Sequence, residues 1–375
     1  MLSRSPAASI GGFERAETLQ LFRELAAEPA PAGVLLAVSG GPDSIAMMRL
    51  IAWIRPDFAA VPITVATVDH GLRAGSAAEA GQVETWAGEC GFAFHRLTWS
   101  GEKPAAGIQA AAREARYALL TGLARRIGAT HLLTAHTQDD QAETILMRLL
   151  RGSGPAGLAG MQRLSGRDGI AHLRPLLDVP KARLLELCRA ASWRYFDDIS
   201  NRDAKFTRAR LRKIMAALAP EGLSAKRLAA LGRRLGLAEA ALDETARAAL
   251  DGAAAGSTDA YHANSFYAAA PDIRRRMLAL AIARAVASGP GGPPVRLERL
   301  ESLAAKLAAP AAAGASPRRF SLGGAIIALN HCGMLVFTAE QPRRRGRLRQ
   351  AQAEAQVTLV KTLAGLDLGK SAQGT

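Results

Sequence analysis

The sequence predicts an α/β fold with a doubly wound, mainly parallel sheet, followed by a helical second domain and a small C-terminal extension. Two observations predict the sheet. Short β-branched runs alternate with segments that carry apolar residues at helical spacing, and Val34–Val38 is wholly apolar, as expected of a strand buried on both faces. Beyond Pro220 the alternation stops and alanine-rich, arginine-bearing segments of helical character take its place.

The predicted elements can be placed in chain order. We expect strands at Val34–Val38, Ile63–Val68, Phe94–Leu97 and His131–Ala135, and helices at 44–54, 108–127, 139–150, 181–191, 205–218, 224–249 and 273–287. A hairpin is expected from Ile326–Leu329 and Met334–Thr338. The predicted division is an N-terminal tail at 1–21, the α/β domain at 22–219, a helical domain at 220–310, and a small β-containing region with a basic tail at 311–375.

Length and composition restrict the class of protein. The 375 residues suffice for two domains, and a formal charge of +15 favours a polyanionic partner such as nucleic acid, although an arginine bias in the source would also produce it. Three widely spaced cysteines indicate neither a disulfide framework nor a cysteine metal site, which fits the cytoplasm. We see no signal peptide and no apolar run of ~18 residues, so no membrane association is expected.

The strongest local signal is the loop Ser39–Ser44, which reads Ser-Gly-Gly-Pro-Asp-Ser between a strand and a helix. Its glycines allow the backbone to approach a bound group, Pro42 presets the first helical turn, and the N–H groups of a helix N-terminus attract anions. The loop lacks both the lysine of a Walker A motif and the spacing of the dinucleotide-binding pattern. It therefore predicts a phosphate site, with an ordinary tight turn as the simpler alternative.

Three predicted strand ends carry polar, chemically capable residues. Besides the first loop they are Asp69–Arg73 and His136–Asp140, and ligands of such sheets gather beyond the carboxyl ends of the strands. Several carboxylates around a polyphosphate require a cation, so Mg²⁺ is expected. A simpler interpretation also exists: Thr137 and Asp140 have capping-box spacing, Asp139 suits a helix N-terminus, and each histidine could be structural.

These motifs together resemble those of the tRNA(Ile)-lysidine synthetases, a family of PP-loop ATP pyrophosphatases. The resemblance rests on Ser39–Ser44, Val68–Arg73, Ala111–Tyr117 and Thr134–Thr144, and it continues through Gly157–Met161, Arg174–Leu177, Asp197–Asn201 and Arg208–Arg212. It covers roughly residues 34–218 and is looser beyond Pro220. Two positions depart from the family pattern: Thr137 stands where a second histidine is frequent, and Ala209 where an asparagine is usual.

The resemblance implies a two-step reaction on the wobble cytidine of tRNA(Ile) with a CAU anticodon. ATP adenylates the oxygen on carbon 2 of the base, and the amine of free L-lysine then displaces AMP. The residues expected to bind ATP are Ser39, Gly40, Gly41, Pro42, Asp43, Ser44, Asp69, His70 and Arg113. Those expected to be catalytic are Asp43, Asp140, His136 and Arg116, with Asp43 and Asp140 also holding Mg²⁺.

The sequence leaves several alternatives open. Arg113 and Arg116 lie on one helical face, where they could instead form a solvated charged surface beside Glu114. The arginines after Pro220 are expected to bind tRNA phosphates, or else to cover a helix bundle. A sulfur-inserting PP-loop enzyme would need a cysteine nucleophile or a Cys-x-x-Cys pair, and a non-catalytic tRNA-binding protein would not need acids at three strand ends. A homodimer is compatible with the sequence, which does not decide the oligomeric state.

Overall fold

The computed structural model describes residues 8–26, 30–58, 61–71, 75–101, 103–104, 107–197, 207–256, 259–287, 293, 295–307 and 318–340. Several positions named above lie outside these ranges: Leu72, Arg73, residues 198–206 and the basic tail from 341. The chain divides into two compact units, residues 1–239 and 240–375. The four-part division predicted from the sequence stays a prediction.

The N-terminal segment is folded onto the first unit. Strands β1 (Ser9–Ile10) and β2 (Phe13–Glu14) form a short hairpin, and helix α1 (Arg15–Leu21) follows directly. The side chain of Phe13 is fully buried in the main core of this unit. Arg183 lies over the Phe13 ring at 4.0 Å and also pairs with Glu17, so the segment that we expected to be a tail carries core and ion-pair contacts.

The first unit contains a six-stranded sheet. Its strands are β3 (Val34–Ala37), β4 (Ile63–Asp69), β5 (Ala93–Thr98), β6 (His131–Thr134), β7 (Leu164–Arg167) and β8 (Ile170–Leu173), in the spatial order β5-β4-β3-β6-β8-β7. All neighbours are parallel except β7 and β8, which form an antiparallel edge hairpin. Strand β3 is buried along its whole length, because it lies between β4 and β6 with helices on both faces.

The helices of this unit include those that cover both faces of the sheet and others that pack around the helix Gln138–Leu149. They are α2 (Pro42–Ile54), α3 (Ser76–Glu89), α4 (Ile108–Arg126), α5 (Gln138–Leu149), α6 (Pro155–Leu158), α7 (Lys181–Ala190), α8 (Thr207–Ala217) and α9 (Ala225–Gly252), the last of which ends in the second unit. One core contains α2, α3 and α7 with one face of the sheet, and a second contains α4 with the other face. The predicted doubly wound α/β fold is therefore confirmed.

The second unit combines helices with an antiparallel sheet. Its elements are β9 (Ala260–His262), α10 (Ala263–Ala268), α11 (Pro271–Ala287), α12 (Leu297–Lys306), β10 (Arg318–Leu322), β11 (Ala325–Leu329) and β12 (Met334–Ala339). The strands lie in the order β10-β11-β12-β9, and the rings of Tyr261, Phe266 and Phe337 pack in its core. The predicted hairpin corresponds to β11 and β12, in which Ile327 lies opposite Phe337.

Among the described residues, every helix is too short or too polar to span a bilayer.

Candidate active site

A single cleft of about 1160 Å³ opens at the carboxyl ends of β3, β4 and β6. Because these parallel strands are neighbours, the loops that follow them meet at one edge of the sheet. The cleft is lined by every residue expected to bind ATP, metal or substrate except Gly40; these are Ser39, Gly41, Pro42, Asp43, Ser44, Asp69, His70, Arg113, Arg116, His136 and Asp140. Three loops that are distant in the sequence thus contribute to one site.

The first loop has the backbone geometry of an anion site. Gly40 has a φ of +84°, and its carbonyl accepts a hydrogen bond from the Phe196 N–H at 2.9 Å. Within the loop, the Ser44 hydroxyl donates to the Gly41 carbonyl at 2.9 Å and accepts from the Ser39 N–H at 3.2 Å. Helix α2 begins at Pro42 and no side chain caps its N-terminus. A group with negative charge would be stabilised by this helix end.

Asp43 has one carboxylate oxygen engaged and one without a partner. Its Oδ2 accepts a hydrogen bond from Lys181 Nζ at 2.8 Å, whereas Oδ1 is buried and has no hydrogen-bond partner among the described residues. Burial raises the pKa of Asp43, Lys181 opposes this, and the charges of Asp140 and Asp139 raise the pKa further. A cation at Oδ1 would satisfy this oxygen and relieve the repulsion between the carboxylates.

Lys181 was not among the residues predicted from the sequence. It is the first residue of α7, a position where the helix dipole disfavours a cation, and that mismatch directly after Pro180 is the signal that could have identified it. Its backbone N–H donates to Asp139 Oδ2 at 2.8 Å. Asp139 therefore lies in the first turn of α5 but accepts a hydrogen bond from the N-terminus of α7.

The second loop is held in place by Asp69. Asp69 Oδ1 accepts from the Gly71 N–H at 2.9 Å, and Oδ2 accepts from Arg96 at 3.2 Å. Hydrogen bonds from Ser76 and the Gly71 N–H lower the pKa of Asp69. His70 lies edge-on to Trp99, with ring centroids 6.0 Å apart, and its buried Nδ1 has no partner among the described residues. Asp69 thus stabilises the loop, while His70 offers the cleft a ring and a free nitrogen.

The third loop combines a helix cap with the site. Thr137 and Asp140 form a capping box at the start of α5, in which Asp140 Oδ2 accepts from the Thr137 N–H at 2.9 Å. The other oxygen, Oδ1, lies 3.9 Å from Arg208. Burial would raise the pKa of Asp140, but His136, the Thr137 N–H and Arg208 bring it below its ordinary value. The capping interpretation is therefore correct for Oδ2 and leaves Oδ1 at the cleft.

Two arginines of α4 face the cleft without an acidic partner. Among the described residues, no carboxylate lies within 4 Å of Arg113 or Arg116, and Glu114 pairs with Arg167 at 2.6 Å instead. The Arg113 guanidinium lies 5.1 Å from the centre of the Tyr117 ring. Burial lowers the pKa of Arg116, and the charge of Arg113 lowers it further. A phosphate group would supply the negative charge that these two cations lack.

Helix α8 supplies further charged residues that were not among the site residues predicted from the sequence. Arg208 and Arg212 line the cleft, and both approach Glu143, whose side chain is 1% exposed; Arg212 Nε lies 2.6 Å from its Oε1. Burial raises the pKa of Glu143. Ala209, which departs from the family pattern, also lines the cleft, so it leaves an apolar surface where a polar group is usual.

The arginines of the later helices have varied environments. On α9 the exposed cations are Lys226, Arg227, Arg233, Arg234 and Arg247, of which Arg233 pairs with Asp178 at 2.7 Å. On α11, Arg274 donates to backbone carbonyls, Arg275 pairs with Asp272, and Arg276 is buried between Asp243 and Asp272. The three consecutive α11 arginines therefore make contacts within the second unit, and Arg276 is buried instead of covering a solvent-facing helix surface.

The fold and the cleft define an ATP-binding α/β protein of the PP-loop class. A family model described as a PP-loop domain matches residues 15–218, which is more than half of the chain. A solved structure with a similar fold is the U34-tRNA thiolase NcsA from Methanococcus maripaludis, with a TM-score of 0.50 and 17% identity over 59% of this chain and 78% of that one.

Relatives in curated collections are much closer in sequence. The tRNA(Ile)-lysidine synthase of Methylobacterium nodulans is 49% identical, over 84% of this chain and 93% of the relative. That of Bradyrhizobium diazoefficiens is 46% identical, over 88% of this chain and 95% of the relative. The chain belongs to the tRNA(Ile)-lysidine synthase family and is therefore an enzyme, a ligase that uses ATP.

Proposed function

We propose that this enzyme attaches L-lysine to carbon 2 of the wobble cytidine in tRNA(Ile) with a CAU anticodon. In the first step the oxygen on carbon 2 attacks the α-phosphorus of ATP, and pyrophosphate leaves. In the second step the lysine amine attacks carbon 2, and the carbon–oxygen bond breaks to release AMP. The names of the relatives support the tRNA substrate, and the ATP requirement agrees with the PP-loop domain.

One geometrical observation supports this proposal most directly. In the described part of the chain, a single cleft contains a helix N-terminus without a side-chain cap, the Oδ1 of Asp43 without a hydrogen-bond partner, and the cations Arg113 and Arg116 without a paired carboxylate. This set matches a triphosphate with its cation, because each part satisfies a charge or a hydrogen-bonding group that the protein alone leaves unsatisfied. The volume of about 1160 Å³ also exceeds the ~300–1000 Å³ of a typical site for one small ligand, which suits ATP together with a base.

We assign Mg²⁺ binding to Asp43 Oδ1 and Asp140 Oδ1. Among the described residues there is no group of three His, Cys, Asp or Glu side chains placed to hold a metal ion, so phosphate oxygens would complete the coordination, as is usual for Mg²⁺. When bound, the ion would offset charge on the phosphates during adenylation. Lys181 holds Asp43 through Oδ2 and leaves Oδ1 available.

The polyanionic substrate agrees with the charge of the chain. The net charge of +15 favours tRNA, and cytosine must leave any stack to enter the cleft, which suits an anticodon loop. The exposed cations of α9 are the candidates for phosphate contact. A cytoplasmic location and a homodimer belong to the same proposal, and sedimentation of the full chain would test the dimer.

The test is pyrophosphate release and modified-base analysis with purified enzyme and unmodified tRNA(Ile) of CAU anticodon. Product should require both ATP and lysine, and a tRNA of another anticodon is the matched control. Ornithine, other amines and a sulfide donor should not replace lysine. Base modification without lysine, or with sulfide, would contradict the proposal. Modification with sulfide is not expected, because none of the three cysteines, all of which lie in the described part of the chain, lines the cleft.

A further inference from the structure

A chain of four hydrogen-bonded side chains runs from the interior of the first unit to the cleft. Arg174 contacts His172 Nδ1 at 3.0 Å, His172 Nε2 contacts the Thr134 hydroxyl at 2.9 Å, and that hydroxyl contacts His136 Nδ1 at 2.8 Å. The first three residues are almost inaccessible, with 9%, 2% and 1% of Arg174, His172 and Thr134 exposed. His136 and the outer side of Thr134 line the cleft, whereas Arg174 and His172 do not.

The direction of every hydrogen bond in this chain follows from its inner end. A guanidinium can only donate, so His172 Nδ1 must accept and the ring proton of neutral His172 lies on Nε2. Nε2–H then donates to the Thr134 oxygen. Among the described residues His136 Nδ1 is the only acceptor within reach of the Thr134 proton, so the hydroxyl donates to it. His136 Nδ1 accepts this proton's hydrogen bond, and the single ring proton of neutral His136 must therefore lie on Nε2.

We propose that Arg174, His172 and Thr134 are positioning residues that hold His136 as the Nε2–H tautomer, so that it presents a hydrogen-bond donor to a phosphate group in the cleft. The inference rests on the proposed function for the identity of that phosphate as part of ATP. In this role His136 is a neutral donor and not a general base, because its only basic nitrogen is occupied by the Thr134 hydroxyl.

The surrounding charges support neutral rings. Burial lowers the pKa of His172 to about 3, and the guanidinium groups of Arg174, Arg113, Arg167 and Arg116 act in the same direction. Burial also lowers the pKa of His136 to about 3; Asp140 opposes this, and Arg174, Arg116 and Arg113 reinforce it. His136 Nε2 has no hydrogen-bond partner among the described residues, as a donor reserved for a ligand requires.

Arg174 places a positive charge at the buried end of this series of hydrogen bonds. Its other hydrogen bonds go to neutral groups, namely the Gln162 carbonyl at 2.7 Å, the Ser165 hydroxyl at 3.1 Å and the Tyr117 side chain, and no carboxylate of the described residues pairs with it. An unpaired buried cation polarises each successive donor toward the cleft. The Nε2–H of His136 should therefore be a stronger donor to an anion than that of an isolated imidazole.

The first test is the tautomer itself, measured by long-range proton–nitrogen NMR of the full-length enzyme labelled in its histidine rings. His136 is assigned from its loss in His136→Gln. We expect a neutral Nε2–H ring at pH 7 and, on addition of a non-hydrolysable ATP analogue, a downfield shift of that proton. In Thr134→Val, which keeps the shape and removes the hydroxyl, His136 should become a mixture of tautomers.

The second test is kinetic. We expect Thr134→Val to lower the rate of pyrophosphate release about 10- to 100-fold, which is less than the ~100- to 1000-fold of a deleted transition-state donor because the His136 ring itself remains, and Thr134→Ser to restore most of it. Thr121→Val is the matched control, because Thr121 is equally buried and bonds the Tyr117 carbonyl away from the cleft; its rate should stay near that of the wild type.

The outcomes separate this inference from the proposed function. A charged or Nδ1–H ring in the wild type, or an unchanged tautomer in Thr134→Val, would overturn the inference whatever the enzyme makes. Equal rate losses in Thr134→Val and Thr121→Val would also overturn it, since both would then reflect packing alone. An Nε2–H ring that responds to the ATP analogue in an enzyme that forms no lysidine would support the inference and contradict the proposed function.

Discussion

Asp140 combines a structural and a proposed chemical interaction in one carboxylate. Its Oδ2 closes the capping box with Thr137, and its Oδ1 faces Arg208 at the cleft. The spacing of Thr137 and Asp140 was sufficient to predict the cap. Whether the second oxygen would also face a ligand depends on where α8 lies, which no local pattern in the sequence reveals.

Substitutions of Asp140 and Thr137 should separate the helix cap from the proposed interaction of Asp140 with a ligand. We expect Asp140→Asn to keep an oxygen for the cap and to retain stability within about 0.5 kcal/mol, while removing the charge and lowering turnover at least ~100-fold. Thr137→Ala should lose about 1 kcal/mol of stability but keep far more activity. Thermal unfolding and pyrophosphate release measure the two effects, and an active Asp140→Asn enzyme would reduce Asp140 to a helix cap.

The buried histidine behind the site predicts a pH-dependent stability. The pKa of His172 falls from its ordinary 6.5 to about 3 in the folded protein, so between these values the unfolded chain binds a proton that the folded chain does not. The contribution of His172 is complete above pH 6.5 and is lost as the pH falls below it, by up to about 1.4 kcal/mol per pH unit.

Urea unfolding at pH 7.5 and 5.5 measures this contribution. The loss of unfolding free energy on acidification should be smaller in His172→Gln than in the wild type, by about 1 kcal/mol. His262→Gln, a change at an exposed position of β9, should leave the wild-type loss unaltered. An identical pH dependence in the wild type and His172→Gln would mean that His172 is protonated in the folded state.

At the level of elements, the phosphate loop and the strand before it were predictable because their signals are local. An apolar run followed by two glycines and a proline defines a buried strand, a turn and a helix start within a dozen residues. By contrast, the hairpin of β7 and β8 and the helix α3 were not predicted. Helix α3 and strand β7 are only partly buried, and β8 is a four-residue strand that includes a buried histidine, so the apolar pattern that identified β3 is weak in all three.

The two glycines of the loop should respond differently to a methyl group. At Gly40 the φ of +84° disfavours alanine, and the added carbon would lie 2.5 Å from the Phe196 ring, so we expect Gly40→Ala to lose at least ~1 kcal/mol of stability. Gly41 has a φ of −72° and its nearest atom would be Ser39 Oγ at 3.8 Å. Gly41→Ala should keep the stability of the wild type.

Gly41→Ala, which should leave stability unchanged, should instead weaken ATP binding. If a phosphate lies against the loop, the methyl group of Gly41→Ala occupies its place, and the Kd for ATP should rise at least ~10-fold in a protein of normal stability. Isothermal titration measures the affinity and thermal unfolding the stability. Unchanged ATP affinity in Gly41→Ala would place the phosphates elsewhere in the cleft.

At the scale of the whole molecule, the excess of positive charge should appear as salt-dependent tRNA binding. Each released counterion contributes to a linear fall of log K with log salt, so we expect at least a ~10-fold loss of tRNA affinity between 50 and 200 mM KCl. Lys226→Gln with Arg227→Gln on α9 should reduce this slope. Arg275→Gln, which removes an internal partner of Asp272, is the control and should leave the slope unchanged.

A tRNA affinity that does not change with salt concentration would contradict an interaction dominated by phosphate contacts. A slope that falls equally in the control would assign the effect to net charge and not to the face of α9. The charge of the sequence predicted a polyanionic partner, but it did not show which arginines are exposed: Arg234 is exposed and Arg276 is buried between two aspartates. That distinction arises from packing between segments distant in the chain.

The sequence by itself determined the α/β class, the phosphate loop, the strand ends that carry acids and histidines, and the family, because each depends on residues that are neighbours along the chain. Only the tertiary structure decided that Lys181 holds Asp43, that Asp69 stabilises its own loop, and that Arg174 reaches His136 through His172 and Thr134. The decisive contacts join residues far apart in sequence, namely Lys181 with Asp43, Arg96 with Asp69, and His172 with Thr134. A single chain does not encode them as a pattern, because burial and donor direction are fixed only when the sheet assembles.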